Sequence, residues 1–143
     1  MPGTATKKGP GAPFLHVAVG VITRQGRVLL SHRASHQHQG DKWEFPGGKL
    51  EPGESTLAAL KRELFEELSI ELHQAKPLME VHHQYPERDV LLDIWLVESF
   101  SGEPKGMEGQ QVAWFAVSEL AALRFPDANL PIVERVRQLL SAP

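Results

Sequence analysis

One helix constrains the fold of this chain more than any other part of its sequence. It is predicted to begin after Pro52-Gly53, where Ser55 can cap the first turn, and to end near Leu68. The leucines at helical spacing form the stripe expected to be buried: Leu57, Leu60, Leu64 and Leu68. The helix therefore has one apolar face, and the flanking segments are expected to supply the layer that covers it.

Those segments carry patterns typical of strands and of further helices. Runs of β-branched and aliphatic residues predict strands at 14–22, 27–32, 78–85, 89–100 and 111–117. Turns are predicted at Gln25-Gly26 and at Pro86-Glu87-Arg88, and a polar surface loop at 34–42. Ser118 is expected to cap a short helix that ends at Leu123.

The chain is expected to end in another helix, after Pro131. Its apolar positions are Ile132, Val133, Val136, Leu139 and Leu140. Strands interleaved with two or three helices predict an α/β or α+β sandwich. Residues 1–13, rich in Gly and Pro and without an apolar period, are expected to form a flexible tail. Residues 14–143 are expected to form one domain, because 143 residues with 41% hydrophobic content suffice for one core.

Composition excludes several classes of function. The chain has no cysteine, which excludes disulfide bonds, a thiol nucleophile and thiolate-bound zinc, and which is compatible with the cytoplasm. Its longest apolar stretch is far shorter than the roughly 20 residues that a membrane span needs. A formal net charge of −3 disfavours a nucleic acid polymer as partner. We therefore expect a cytoplasmic protein without membrane or nucleic acid partners, and a monomer.

Three carboxylates on the main helix point to a metal. Glu63, Glu66 and Glu67 are spaced i, i+3 and i+4, which places them on one side of the helix. Such clustering costs roughly 0.2 to 0.5 kcal/mol per like-charged pair unless a cation lies between them, and Mg²⁺ prefers oxygen ligands. The alternative is a merely solvated acidic face, in which Arg62 pairs with Glu66. The nearby pair Gly47-Gly48 favours the metal-binding interpretation, because glycine lets the backbone approach a ligand closely.

The same residues stand in the register of a known motif, the Nudix box. That motif is a glycine, five residues, a glutamate, seven residues and then R-E-U-x-E-E-x-G-U, and it is matched by Gly48, Glu54, Arg62, Glu63, Leu64, Glu66, Glu67 and Ile70. Ser69 departs from it by replacing the last glycine. A left-handed serine there costs of order 1 kcal/mol.

The chain thus resembles the Nudix hydrolase family, and from about Val17 to Leu140 it is most similar to bacterial MutT-type 8-oxo-dGTP diphosphatases. The matching segments are H-R-A-S-H-Q-H, W-E-F-P-G-G-K, Y-P-E-R-D, G-E-P-K-G-M-E-G-Q and F-P-D-A-N-L-P. The resemblance implies an α/β/α sandwich with a mixed sheet between helices. It also implies that water attacks a phosphorus, which releases nucleoside monophosphate and pyrophosphate.

The resemblance implies a metal site as well. The Gly47 carbonyl and the Glu67 carboxylate would bind Mg²⁺, or alternatively Mn²⁺, and Glu63, Glu66 and Glu108 would complete the acidic site. Glu63 is the candidate general base, with Glu108 as its rival because a loop could bring it to the same water. Glu54 and Arg62 are assigned orienting roles, although each could simply tie the loop to the helix.

Nucleotide contacts are implied in the same way, for Arg33, His38, Glu44, Phe45, Pro46, Gly47, Arg88 and Asn129. The guanidinium groups of Arg33 and Arg88 suit anionic oxygens. The Asn129 carboxamide both donates and accepts, so it can distinguish guanine, whose N7 accepts, from the 8-oxo form, whose N7 carries a proton. Its alternative role is to cap the last helix, before Leu130-Pro131.

The sequence is compatible with three functions. The leading one is hydrolysis of 8-oxo-dGTP, and of 8-oxo-GTP, which cleanses the nucleotide pool and prevents mutation during DNA replication. The second is hydrolysis of another nucleoside triphosphate or of a dinucleotide by a Nudix enzyme. The third is a non-catalytic nucleotide-binding domain, which would not need the full set of acids.

Overall fold

The computed structural model describes residues 14–32 and 41–141, and within them the order of elements confirms the α/β prediction. The strands are β1 Phe14–Arg24, β2 Arg27–His32, β3 Trp43–Glu44, β4 Gly47–Lys49, β5 Glu71–Gln84, β6 Asp89–Ser101 and β7 Val112–Ala116. The helices are α1 Thr56–Leu68 and α2 Leu130–Ser141, and two 3-10 segments, Val117–Ala122 and Asp127–Asn129, precede α2. The tail predicted at 1–13 and most of the loop predicted at 34–42 lie outside the described residues.

The strands form a single mixed sheet, in which β1 is central. β1 runs parallel to β6, with Phe14 beside Asp89 and Ile22 beside Val97. Its pairings with β2 and β4 are antiparallel, as is the pairing of β5 with β6. β3 and β7 both pair with β2. The sheet order is therefore β3-β2-β1-β6-β5, with β4 added to β1 and β7 to β2.

Helices cover both faces of this sheet. Successive residues of a strand point to opposite faces, so β1 contributes to two separate apolar clusters. Ile22 belongs to the cluster that contains Leu60 of α1, whereas Val21 belongs to the cluster that contains Ile132 of α2. The molecule is therefore the α/β/α sandwich with a mixed sheet that the sequence predicted.

The face that α1 buries is rotated from the predicted one. Leu57 is 41% exposed and does not join the buried stripe, whereas Ala59 is fully buried beside Leu60. Ala59, Glu63 and Glu67 form one row along α1 at intervals of four residues. This row faces β4 because the backbone at Gly48 lies against the Glu63 carboxylate. The rotation that brings the acidic row to the sheet turns Leu57 toward solvent.

Several boundaries differ from the sequence predictions, among them those of β5, of the segment after β7 and of α2. β5 begins at Glu71 rather than at residue 78, and it includes Pro77, which an edge strand tolerates because the missing N–H can face away from the partner strand. Ser118 does not cap the segment after β7: that segment begins at Val117, and the Glu119 carboxylate accepts from the Ala116 N–H at 2.7 Å. α2 begins at Leu130, whereas the sequence predicts this helix only after Pro131.

No helix within residues 14–32 and 41–141 is both long enough and apolar enough to cross a membrane.

Candidate active site

The start of α1 is fixed by two side chains. Ser55 is the N-cap, as predicted, and its hydroxyl oxygen accepts from the Ala58 N–H at 3.1 Å. The next residue, Thr56, donates its hydroxyl to the Asp93 carboxylate of β6 at 3.1 Å. The acidic helix is therefore held to the central strands at its first turn.

Arg62 organises the acids around α1. Its Nε and Nη2 donate to the two carboxylate oxygens of Glu54 at 2.7 and 3.0 Å, a bidentate contact. Its Nη1 donates to Glu63 at 2.8 Å and to Glu66 at 3.3 Å, and its Nη2 also donates to the Lys49 carbonyl at 3.1 Å. Arg62 thus ties the loop before α1 to the acidic side of the helix.

This ion pairing changes the titration of both partners of the bidentate contact. The hydrogen bond from Arg62, together with that from the Glu51 N–H, lowers the pKa of Glu54 to about 2. The same contact raises the pKa of Arg62 above its usual range. Both groups are therefore charged around neutral pH.

The two glycines of β4 allow the sheet and the helix to meet closely. A Cβ on Gly48 would overlap the carboxylate of Glu63, and a Cβ on Gly47 would overlap the Ala18 carbonyl of β1. The sequence predicted that this pair admits a ligand. The structure shows that the lack of a side chain at Gly48 makes room for the acidic row of α1.

Glu67 is the most perturbed carboxyl of the site. Its pKa is raised to about 9, first because burial disfavours the charged form, then because Glu63 shares a hydrogen bond with it, and then because the charges of Glu63 and Glu108 lie nearby. A hydrogen bond from the Gly47 backbone acts in the opposite direction. The structure therefore brings Glu63, Glu67 and Glu108 together, whereas the Glu66 side chain is 54% exposed and lies beside Arg62.

The chemistry of these acids fits a hard divalent cation. Several carboxyl groups are held beside one another next to a backbone segment, and all of the atoms that they offer to a cation are oxygens. Across residues 14–32 and 41–141, no three carboxylate or imidazole side chains form a preformed metal site. The Glu63 carboxylate is instead bonded to Arg62.

A cavity of about 590 Å³ opens beside this cluster. Several residues predicted to contact the nucleotide or the metal line this cavity: Glu44, Phe45, Pro46, Gly47, Glu67, Arg88 and Asn129. The Asn129 Oδ1 accepts a long hydrogen bond from the Phe45 N–H at 3.5 Å, and the Phe45 ring stacks on Phe125 with centroids 5.9 Å apart. Arg33 and His38 lie outside the described residues. Glu54, Arg62, Glu63, Glu66 and Glu108 do not line the cavity.

The sequence interpretation missed the floor of this cavity. The floor is apolar and consists of Leu15, Val17 and Val19 of β1 with Val90 and Leu92 of β6. The parallel register places Leu15 beside Val90 and Val17 beside Leu92. Alternation along each strand was the available signal, because residues two apart share one face of a sheet. Lys49, Tyr85 and Glu87 were also missed at the rim.

Comparison with known proteins places the chain in one family. Residues 17–135 match the family model of the NUDIX domain. The chain belongs to the Nudix family, as the spacing of its acids predicted.

Individual relatives narrow the class to nucleotide pyrophosphohydrolases. The chain is 38% identical, over 87% of its length and 98% of the relative's, to a protein of Escherichia coli strain K12 named 8-oxo-dGTP diphosphatase. It is 35% identical, over 90% of its length and 96% of the relative's, to CTP pyrophosphohydrolase of the same strain. A solved structure from a study of MutT from Aliivibrio salmonicida and Vibrio cholerae superposes with a TM-score of 0.77 at 36% identity, over 89% of this chain and 99% of that one. The predicted similarity to MutT-type Nudix hydrolases is thereby confirmed.

Proposed function

We propose that this chain hydrolyses 8-oxo-dGTP, and also 8-oxo-GTP, to the nucleoside monophosphate and pyrophosphate. The reaction removes oxidised purine nucleotides before a polymerase incorporates them. The observation that carries the proposal is that Glu67 of the acidic helix lines the same cavity as Asn129 and Phe45. One molecule bound in this cavity could therefore contact both Asn129, which is suited to recognising a base, and Glu67, which is suited to binding a metal.

The cavity suits a purine because its floor is apolar and its rim is polar. A flat base can lie on the valines and leucines of β1 and β6 and bury apolar surface there. Asn129 then reaches its edge, where the N7 proton of the oxidised base meets an amide oxygen. Arg88 supplies a guanidinium at the rim for the anionic part of the nucleotide.

The acidic cluster beside the cavity, of which Glu67 reaches the cavity wall, would hold Mg²⁺, for which Mn²⁺ can substitute. The proposed ligands are the Gly47 carbonyl and the carboxylates of Glu63, Glu66, Glu67 and Glu108. When bound, the ion neutralises phosphate oxygens and makes water a better nucleophile. Burial and the nearby charges of Glu63 and Glu108 oppose ionisation of Glu67, and the positive charge of a bound ion would offset these effects.

Either Glu63 or Glu108 takes the proton of the attacking water. Glu63 is held in one orientation by its 2.8 Å hydrogen bond from Arg62. Glu108 is exposed on the loop between β6 and β7. The pH dependence of kcat in Glu63→Gln and Glu108→Gln separates the two, because only the true base controls the acidic limb of the profile.

Kinetics with a panel of nucleotides test the proposal. With Mg²⁺ present, kcat/KM for 8-oxo-dGTP is expected to exceed that for dGTP by at least about 100-fold, because a mismatched buried polar group is strongly rejected. Similar values for the two nucleotides would overturn it. CTP belongs in the panel because one relative is named a CTP pyrophosphohydrolase, which makes pyrimidine triphosphate hydrolysis the second candidate.

We further propose that the chain acts as a monomer in the cytoplasm, where free nucleotides are found. One chain supplies both the cavity and the acidic cluster, which supports a monomer. Light scattering that gives twice the mass of 15.9 kDa would contradict this.

A further inference from the structure

The loop between β6 and β7 carries Glu108 and is fastened to the end of α1. The last carbonyls of a helix have no hydrogen-bond partner within the helix. In this protein the Glu67 carbonyl accepts from the Met107 N–H at 2.9 Å, and the Leu68 carbonyl accepts from the Lys105 N–H at 3.0 Å. The loop therefore supplies the hydrogen-bond donors that a further turn of α1 would have supplied to these two carbonyls.

The side chain of Gln110 adds a second connection between the same two parts. Its Nε2 donates to the Glu67 carbonyl at 3.1 Å, and its Oε1 accepts from the Glu108 N–H at 2.9 Å. A backbone carbonyl only accepts and a backbone N–H only donates, so the two partners determine the orientation of the amide. One carboxamide thus links the backbone of Glu67 to that of Glu108.

We propose that Gln110 is a positioning residue that holds Glu108 beside Glu67 so that both carboxylates face one divalent cation. The inference rests on the cation site of the proposed function. Glu108 is exposed on its loop and Glu67 lies on α1, so a link between the two segments is needed to prevent displacement of Glu108 into solvent. The two hydrogen bonds of Gln110 oppose that displacement before a cation arrives. Groups that orient metal ligands in this way change affinity or turnover by roughly 10- to 100-fold.

The test compares Gln110→Met with Gln111→Met. Methionine keeps the length of the side chain and removes both hydrogen bonds. Gln111 is the adjacent residue of the same type, and its side chain is exposed while its backbone carbonyl accepts from the His32 N–H. The first measurement is Mn²⁺ affinity without nucleotide, followed by electron paramagnetic resonance. It is expected to fall about tenfold in Gln110→Met and to stay at the wild-type value in Gln111→Met.

The second measurement separates positioning from a loss of fold. At a temperature well below the unfolding transition, Gln110→Met is expected to lower kcat for 8-oxo-dGTP by roughly tenfold or more and to change KM less than about threefold, because the cavity is not altered. If Gln110→Met does not fold, Gln110→Asn replaces it with the same expectations, because the shorter amide cannot reach both partners.

Equal Mn²⁺ affinity in the Gln110 and Gln111 variants would overturn the positioning role, whatever the wild-type protein hydrolyses. Absence of 8-oxo-dGTP hydrolysis by a wild-type protein that binds Mn²⁺ would instead overturn the proposed substrate. In that case a selective loss of Mn²⁺ affinity in Gln110→Met would still support the positioning role.

Discussion

Glu63 occupies the space that a side chain on Gly48 would need. A Cβ built on Gly48 overlaps the carboxyl group of Glu63, and the carboxylate is held in that place by the hydrogen bond from Arg62 at 2.8 Å. The glycine of β4 and the acid of α1 are therefore a matched pair. Their contact sets the distance between the sheet and the acidic row of the helix.

Gly48→Ala is expected to lower kcat by about 100-fold, because the added methyl group displaces Glu63 and a shift of about 1 Å in a catalytic site has an effect of that size. Gly53→Ala is the matched control, since its φ of 80° strains an alanine but nothing lies within 4 Å of the new Cβ. The control is expected to lose about 1 kcal/mol of unfolding free energy and to keep its kcat. Steady-state kinetics and urea unfolding of both variants provide the check, and wild-type kcat in Gly48→Ala would refute the contact.

Glu67 makes the stability of the metal-free protein depend on pH. Its pKa rises from 4.5 to about 9 on folding, so between these values the folded state keeps a proton that the unfolded state has lost. Stability is therefore expected to fall as pH rises through that interval. Glu67→Gln should flatten the dependence, because glutamine does not titrate. Urea unfolding with a chelator from about pH 5 to about pH 9 measures both slopes, and identical slopes would contradict the assignment.

The same substitution is expected to abolish most turnover. Glu67→Gln removes one negative ligand from the proposed cation site, and metal stabilisation of a transition state amounts to several kcal/mol, so kcat should fall by at least about 100-fold. The far-UV circular dichroism spectrum should remain that of the wild type. Glu80→Gln, on the exposed surface of β5, serves as the control for loss of one carboxylate. Unchanged kcat would remove Glu67 from the mechanism.

Ser69 limits the stability of the helix end. It adopts φ 60° and ψ 32°, the left-handed conformation that the Nudix motif assigns to glycine, and its N–H bonds the Phe65 carbonyl at 3.0 Å. Ser69→Gly is expected to raise the unfolding free energy by up to about 1 kcal/mol, or the Tm by about 3 °C. Ser118→Gly, at an exposed position of the 3-10 segment Val117–Ala122, should show no such gain. A lower Tm in Ser69→Gly would mean that the serine side chain itself stabilises the cap.

The sequence predicted the elements of this fold because their signals are local. The Ser55 cap, the turn at Gln25-Gly26 and the period of α1 each depend on residues close together in the chain. The rotation of α1 that exposes Leu57 could not be predicted in this way. It depends on the contact between Glu63 and Gly48, which arises only when the helix meets β4.

The site likewise contains features that the local sequence predicts and features that depend on contacts between distant segments. The acids of the Nudix box could be identified from their spacing, because one helix displays them. The apolar floor could not, since Leu15 and Val90 become neighbours only through the parallel pairing of distant strands. The role of Gln110 was equally hidden, because both of its hydrogen bonds need the loop to be folded onto the end of α1.

Asn129 is expected to decide which base the enzyme prefers. Asn129→Ala should lower the ratio of kcat/KM for 8-oxo-dGTP to that for dGTP by at least about tenfold, which corresponds to the loss of one hydrogen bond of about 1.4 kcal/mol. The reason is that the amide oxygen meets a proton on N7 of the oxidised base and a lone pair on N7 of guanine. Leu130→Ala is the control, because the neighbouring side chain is 52% exposed and does not line the cavity. If Asn129→Ala lowers kcat/KM equally for both nucleotides, the residue only supports the local structure. Its Oδ1 accepts a hydrogen bond from the Phe45 N–H at 3.5 Å. A selective loss shows instead that a single carboxamide at the start of α2 distinguishes the damaged base from the normal one.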